Sequence, residues 1–371
     1  MRRRLLLAFA AMAASRPAAM PAARAAAVDP DYAPVLRGHR LRFPRDHGMH
    51  PAFRIEWWYI TGWLETVAGP PTTAGEGSSV GPFGYQITFF RVRSRHSADN
   101  PSRFAPHQLL LAHAAIADPA LGRLRHAQQA WRAGELASID RTDARIRLPG
   151  WQLVRGTDDI YRAEVEADDF GYALRLAAHE PPVLQGEAGY SRKGPRAEQA
   201  SYYYSRPGLR ASGMLRIGGQ QHQVHGSGWL DHEWSSQLMP EEALGWDWAG
   251  IGLDDGGSLL VFRLRDAAGG SVHSHARLRF PDGHTLDASP GFEVLRRWES
   301  PRTGITYPVE WRITVADKSY LLTPLFDDQE LDARRSTGTV YWEGAVRASQ
   351  DGQVVGRGYL ELTGYGARMA L

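Results

Sequence analysis

Three short segments of this chain set carboxylates among tryptophans. Residues 53–63 read FRIEWWYITGW, residues 225–234 read HGSGWLDHEW, and residues 245–250 read GWDWAG. In an extended strand, successive side chains point to opposite faces. Glu56, Trp58 and Ile60 then share one face of the first segment, while Trp57, Tyr59, Thr61 and Trp63 share the other. In the second, Trp229, Asp231 and Glu233 face one way and Leu230, His232 and Trp234 the other, so either the two acids form a buried pair or His232 faces the pocket. Two carboxylates two residues apart on one face repel, and without an intervening cation one of them should titrate high. A carboxyl group that keeps its proton near neutral pH is a usable general acid. In the third segment Trp246 and Trp248 share a face opposite Asp247, and indole faces stabilise a cation by roughly 0.5–2 kcal/mol each. Plainer roles exist for all three. Glu56 can meet Arg54 or another arginine, Asp231 and Glu233 can belong to a structural ion network, and Trp246 and Trp248 can simply fill a core.

Other chemistries lack their residues. No HExxH occurs, and the run Asp231-His232-Glu233 would send its central ligand to the far face of a strand, so no metal is expected. Ser227 lies in Gly-Ser-Gly, a strand bend rather than the GxSxG of a nucleophile elbow. P-loop and dinucleotide fingerprints are missing, so no phosphate-bearing cofactor is expected. With no cysteine, disulfides, thiol nucleophiles and thiolate metal sites are all excluded. The 43 basic and 41 acidic side chains nearly balance, leaving no basic surface to draw in nucleic acid.

The elements that must position these segments read as strands. Residues 83–92 (FGYQITFFRV) and 259–264 (LLVFRL) are β-branched or aromatic and of strand length. Tyr172, Leu174 and Leu176 alternate with small or charged residues. Gly218-Gly219, the stretch 266–270 and Pro281-Asp282-Gly283 read as hairpin turns. With 39 Gly and 23 Pro among 371 residues, many short strands and turns imply sandwiches or barrels. Residues 69–81 read as a loop, and residues 235–244 as the link between two domains. At the N-terminus, Arg2, Arg3 and Arg4 precede an apolar run over 5–14 and A-x-A sites at Ala23-Arg24-Ala25 and Ala25-Ala26-Ala27. Residues 1–27 are therefore expected to be a signal peptide, and the protein periplasmic or secreted. No other apolar run reaches the ~18 residues of a spanning helix, so the mature chain is expected not to cross a membrane.

Eight strings in order resemble the AttH-like family of secreted proteins, relatives of the carotenoid 1,2-hydratases called CrtC. They are DHGMHPAFRIEWWYITGWL from Asp46, FGYQITFFR from Phe83, PPVLQGEAGYSRKG from Pro181, SYYYSRP from Ser201, GSGWLDHEWSS from Gly226, WDWAGIGLDDG from Trp246, YWEGAV from Tyr341 and GRGYLELTGYG from Gly356. The resemblance implies an all-β protein of two lipocalin-like antiparallel β-barrel domains, 28–236 and 237–371, with WLDHEW near their junction. It also implies a bulky apolar ligand, isoprenoid or lipid-like. In the hydratase relatives water adds to a terminal isoprenoid double bond without a redox cofactor, which needs an acid and a water that captures the carbocation. His232 and Trp234 match the DHNW-type string of those hydratases, whereas Glu233 departs from it. On an enzymatic reading, a hydratase-like lyase or a hydrolase, Asp231 or Glu233 is the acid and His232 orients water. Trp229, Trp234, Trp246 and Trp248 shape the pocket, with Glu56, Trp58, Tyr59 and Asp247 beside them. On the alternative reading the protein is a periplasmic lipid carrier or chaperone working with an ABC-type exporter.

Overall fold

The computed structural model describes residues 32–67, 81–96, 100–102, 105–237 and 239–368. The expected signal peptide and all but the last residue of the 69–81 loop lie outside these. The described residues form two antiparallel sheets. The first holds β1 (Ile55–Thr66), β2 (Phe83–Arg93), β3 (Gln108–Asp118), β4 (Arg123–Arg132), β5 (Ser138–Ile139), β6 (Arg145–Leu148), β7 (Trp151–Arg155), β8 (Ile160–Glu166), β9 (Phe170–Ala177), β10 (Val183–Leu184), β11 (Tyr190–Arg192), β12 (Ala200–Ile217) and β13 (Gln220–Ser235). The second holds β14 (Gly245–Leu253), β15 (Ser258–Arg265), β16 (Ser271–Arg279), β17 (Thr285–Ala288), β18 (Gly291–Glu299), β19 (Thr306–Val315), β20 (Lys318–Pro324), β21 (Glu330–Ala333), β22 (Thr339–Gln350) and β23 (Gln353–Leu362). Among the described residues, only a short 3-10 turn, Arg45–His47, is helical.

In the first sheet the spatial order is β4-β3-β2-β1-β13-β12-β9-β8-β7-β6-β5, with β10 and β11 also on β12. The chain runs out as a meander, then returns β13 to lie beside β1. Twist curls this sheet around one core: Leu110 and Ala112 of β3 share that core with Ile146 and Leu148 of β6. Polar side chains bridge the remaining gap, Arg125 reaching Asp169 at 3.0 Å and Gln129 donating to the carbonyl of Pro149 at 2.9 Å. The second sheet, ordered β17-β16-β15-β14-β23-β22-β20-β19-β18, wraps its own core around Trp311 and Trp342. These are the two lipocalin-like barrels. At the β12–β13 hairpin, Gly218 and Gly219 both take positive φ, 56° and 81°. Such a two-residue loop matches the twist of its strands and favours glycine at both positions.

Alternation along β1, β13, β14, β22 and β23 decides what each barrel encloses and what lies between the barrels. Trp58, Ile60, Leu230 and Trp234 point into the first core. Ala249, Ile251, Trp342 and Leu362 point into the second. The opposite faces of the same strands carry Tyr59, Trp63, Trp229, Trp248 and Tyr359, which pack together as a third apolar cluster between the sheets. No helix among the described residues is long and apolar enough to cross a membrane.

Candidate functional site between the barrels

A cavity of about 300 Å³ lies between the two sheets, at the small end of ligand-pocket volumes (roughly 300–1,000 Å³). Ile55, Trp57, Phe90, Leu111, Phe262 and Leu264 give it an apolar wall, and Asp231, Glu233, Glu343 and Glu361 bring four carboxyl groups to it. Lys193 and His113 are the basic side chains on its lining.

Asp231 is held from three sides. The Trp229 indole donates to Oδ1 at 2.7 Å, the Ser205 hydroxyl donates to the same oxygen at 2.5 Å, and the Tyr203 hydroxyl donates to Oδ2 at 2.6 Å. Trp248 in turn donates its indole N–H to the Tyr203 oxygen at 3.2 Å. β12 lies against β13 with Ser205 opposite Asp231 and Tyr203 opposite Glu233, which is why both hydroxyls reach the acid. Burial pushes the Asp231 carboxyl up to about 7, and the Glu233 charge adds to that, against the three donors. Glu233 is paired instead with Lys193, 2.9 Å away, whose ammonium lies over the Tyr203 and Phe262 rings at 4.6 and 4.1 Å.

On the facing wall, Glu343 of β22 and Glu361 of β23 sit directly opposite in register. Burial, with Glu361 repelling, holds Glu343 well above the carboxylate range. Burial also pushes Glu361 up to about 8, although the Trp246 indole bonds to it and favours its charge; Asp231 and Glu233 add repulsion. A group that ionises this high is a proton carrier at neutral pH.

The other face of β1 and β13 holds a different arrangement, inside the first barrel. Glu56 Oε1 meets His50 Nδ1 at 2.7 Å and His232 Nε2 at 2.9 Å, and Arg91 Nε donates to Oε2 at 2.9 Å. His50 Nε2 reaches Asp46 at 3.2 Å, and the His50 ring stacks on Trp234 with centroids 3.7 Å apart. Burial opposes the Glu56 charge, but His50, Arg91 and His232 outweigh it and hold the carboxyl far below its usual range. Burial likewise opposes a charge on His50, yet Glu56 and Asp46 raise its pKa. Burial lowers His232 to about 4. The ligand atoms of His50, Glu56 and His232 lie within 4.8 Å of one another and are of types that could hold a metal ion. Each is already engaged, and the Arg91 guanidinium occupies the second carboxylate oxygen where a further cation would be repelled.

Of the residues singled out from sequence, the cavity brings together Asp231, Glu233, Tyr59, Trp246 and Trp248, with Trp229 behind Asp231. Glu56, Trp58, His232 and Trp234 are on the far side of the sheet, so His232 does not orient a water in this cavity. Asp247 points into the second barrel, bound by Arg263 at 2.7 Å and Arg265 at 2.9 Å. Sequence reasoning missed Lys193, Tyr203, Glu343 and Glu361. The two glutamates carried a faint signal, an acid between apolar neighbours in YWEGAV and YLELTGYG. The His50–Glu56–His232 grouping was invisible because His232 joins His50 and Glu56 only through the pairing of β13 with β1.

The model of the AttH-like family matches residues 34–365. The chain belongs to the AttH-like family. A crystal structure of an AttH-type protein from Nitrosomonas europaea is 46% identical, covers 90% of this chain and 99% of its own, and superposes with a TM-score of 0.81. Kievitone hydratase from Nectria haematococca shares the fold at 14% identity and a TM-score of 0.65, covering 88% of this chain and 94% of its own. No curated protein matches the sequence. The AttH-like family thus supplies the two-barrel frame, while the carboxyl-rich cavity has to be read from its own residues.

Proposed function

We propose that this AttH-like protein binds an apolar, isoprenoid or lipid-like molecule between its barrels and adds water across a carbon–carbon double bond without a cofactor. One observation carries the reading: Asp231, buried in an apolar cavity beside the Trp229 and Trp248 rings, titrates at about 7 and so exchanges a proton at working pH. Hydration of an isolated alkene passes through a carbocation. The indole and phenol faces of Trp57, Trp246, Trp248 and Tyr59 would stabilise that charge, and Asp231 is the acid–base group next to it. The cavity volume suits a compact terpenoid, or one end of a longer chain whose remainder stays outside. Being cysteine-free is compatible with action in an oxidising compartment, and the signal-peptide-like N-terminal sequence supports action in the periplasm or outside the cell.

The test is incubation of purified protein with terminal isoprenoid alkenes in oxygen-labelled water, with mass-spectrometric detection of labelled tertiary alcohol. Asp231→Asn should lower turnover at least ~10²-fold while ligand affinity changes little. The apolar share of the lining supports a second reading, a non-enzymatic lipid carrier serving an ABC-type exporter. Tight ligand binding with no labelled alcohol from any alkene would favour that reading over hydration.

A further inference from the structure

The Glu343–Glu361 pair lies across the cavity from Asp231 and is backed by groups of its own. The Tyr59 hydroxyl, from β1 on the same cavity, lies beside the Glu343 carboxyl. Two carboxyl groups opposite in register on one cavity wall stand where a bound molecule would reach them. The Tyr341 hydroxyl lies beside Glu343, from two positions earlier on the same strand face. Tyr341 meets His113 Nδ1 at 2.6 Å, and His113 Nε2 meets the Ser336 hydroxyl at 2.8 Å. Ser336 is half-buried at the cavity rim, and its hydroxyl can donate on to Gln128 at 2.7 Å. His113 comes from the first barrel and Tyr341 and Ser336 from the second, so the line exists only when the barrels are together.

We propose that Glu343 and Glu361 are the proton-holding pair that serves the reacting end of the bound molecule, and that Tyr341 and His113 reload it from the Ser336 side. The chemistry of each link fits. His113 is fully buried and burial lowers its pKa to about 3, so it is neutral, with one ring N–H and one acceptor nitrogen. Both of its neighbours are hydroxyls, which donate or accept. Either tautomer is therefore satisfied: Nε2–H donating to Ser336 while Tyr341 donates to Nδ1, or Nδ1–H donating to Tyr341 while Ser336 donates to Nε2. Switching between these two states moves one proton along the line. Besides each other, the pair faces Tyr59 from β1, Tyr341 from β22, Tyr359 from β23, Asp231 and Glu233 from β13 and Trp246 from β14. Lys193, the cation on the lining, is bound to Glu233.

This inference rests on the hydration reading for its reaction. The pair gives its proton to one alkene carbon, leaving a carboxylate and a carbocation. Water bonds to the cation through oxygen and passes a proton to the Asp231 carboxylate, giving a neutral alcohol. Asp231 then releases that proton to solvent, and one proton returns to the pair through Ser336, His113 and Tyr341. Atoms and charge balance over the cycle.

The experiment needs no substrate. Infrared spectra of the full-length protein near neutral pH should show a protonated-carboxyl band with a component that disappears in the Glu343→Gln/Glu361→Gln double variant and survives in Asp231→Asn. After mixing into deuterated water, that component should exchange at least ~10-fold more slowly in His113→Phe, and likewise in Tyr341→Phe, which keeps the ring and removes only the hydroxyl. A band unchanged in the double variant overturns the proposal, as does wild-type exchange in a folded Tyr341→Phe protein. Failure of hydration itself is distinguishable: it would appear as absent turnover in wild type with both spectroscopic results intact.

Discussion

The two faces of the paired strands β1 and β13 meet carboxylates at similar depth and give them opposite charge states. On the inner face, Glu56 lies against the Arg91 guanidinium and two imidazoles and is held as an anion. On the outer face, Asp231 meets hydroxyls and an indole N–H, while Glu361 meets an indole N–H, and burial pushes them to about 7 and 8. Glu56 and Asp231 are both buried, so burial alone does not separate them. The difference is the presence of a cation within contact distance. A buried carboxylate with a guanidinium stays charged and becomes a structural tie, and one with only neutral donors keeps its proton available for chemistry.

The sharpest way to break this comparison is to neutralise one acid on each face. Glu56→Gln should cost about 3–5 kcal/mol in chemical denaturation, because it strands the buried Arg91. At neutral pH Asp231→Asn should cost far less than that, since it leaves no cation behind. Equal losses in the two variants would erase the distinction drawn here. Trp234→Ala belongs with the inner face: it removes the ring stacked on His50 and should cost about 3–5 kcal/mol of stability without weakening apolar ligand binding.

A pH series sharpens the same contrast. The raised Asp231 holds a proton in the folded state that the unfolded chain has released above about pH 4, so this group's contribution falls as pH rises from about 4 to its folded value of about 7. Measured as a difference, Asp231→Asn should gain on wild type across that window by up to ~1.4 kcal/mol per pH unit. Glu56 has the opposite sign. Its lowered pKa stabilises the fold above the ordinary glutamate value and is lost as pH falls below it, so the penalty of Glu56→Gln should shrink in acid. Two variants with the same pH slope would contradict the assignment of charge states.

The smallest effect expected concerns the apolar wall. Trp248→Ala should weaken binding of a fluorescent apolar probe by roughly 1–3 kcal/mol through lost contact area. An unchanged affinity would place the ligand elsewhere than between the barrels.

Much of the frame was legible along the chain. The period of two in residues 53–63 and 225–234 separated Trp58 from Tyr59 and His232 from Asp231 before any fold was known, because side-chain alternation is a local property of an extended backbone. The glycine turns at Gly218-Gly219 and Gly283 were equally local, since positive φ favours glycine wherever it occurs. Which face met which partner was not local. Arg91 reaches Glu56 because β2 pairs with β1, Lys193 reaches Glu233 from the segment just after β11, and Glu343 and Glu361 face Asp231 only because a second barrel packs across the first. Sequence could therefore say that Asp231 and Glu233 share a face, but not that one would be neutralised by a lysine and the other left near pH 7. Protonation depends on charges and water within a few ångströms, and the fold assembled those from separate segments of the chain.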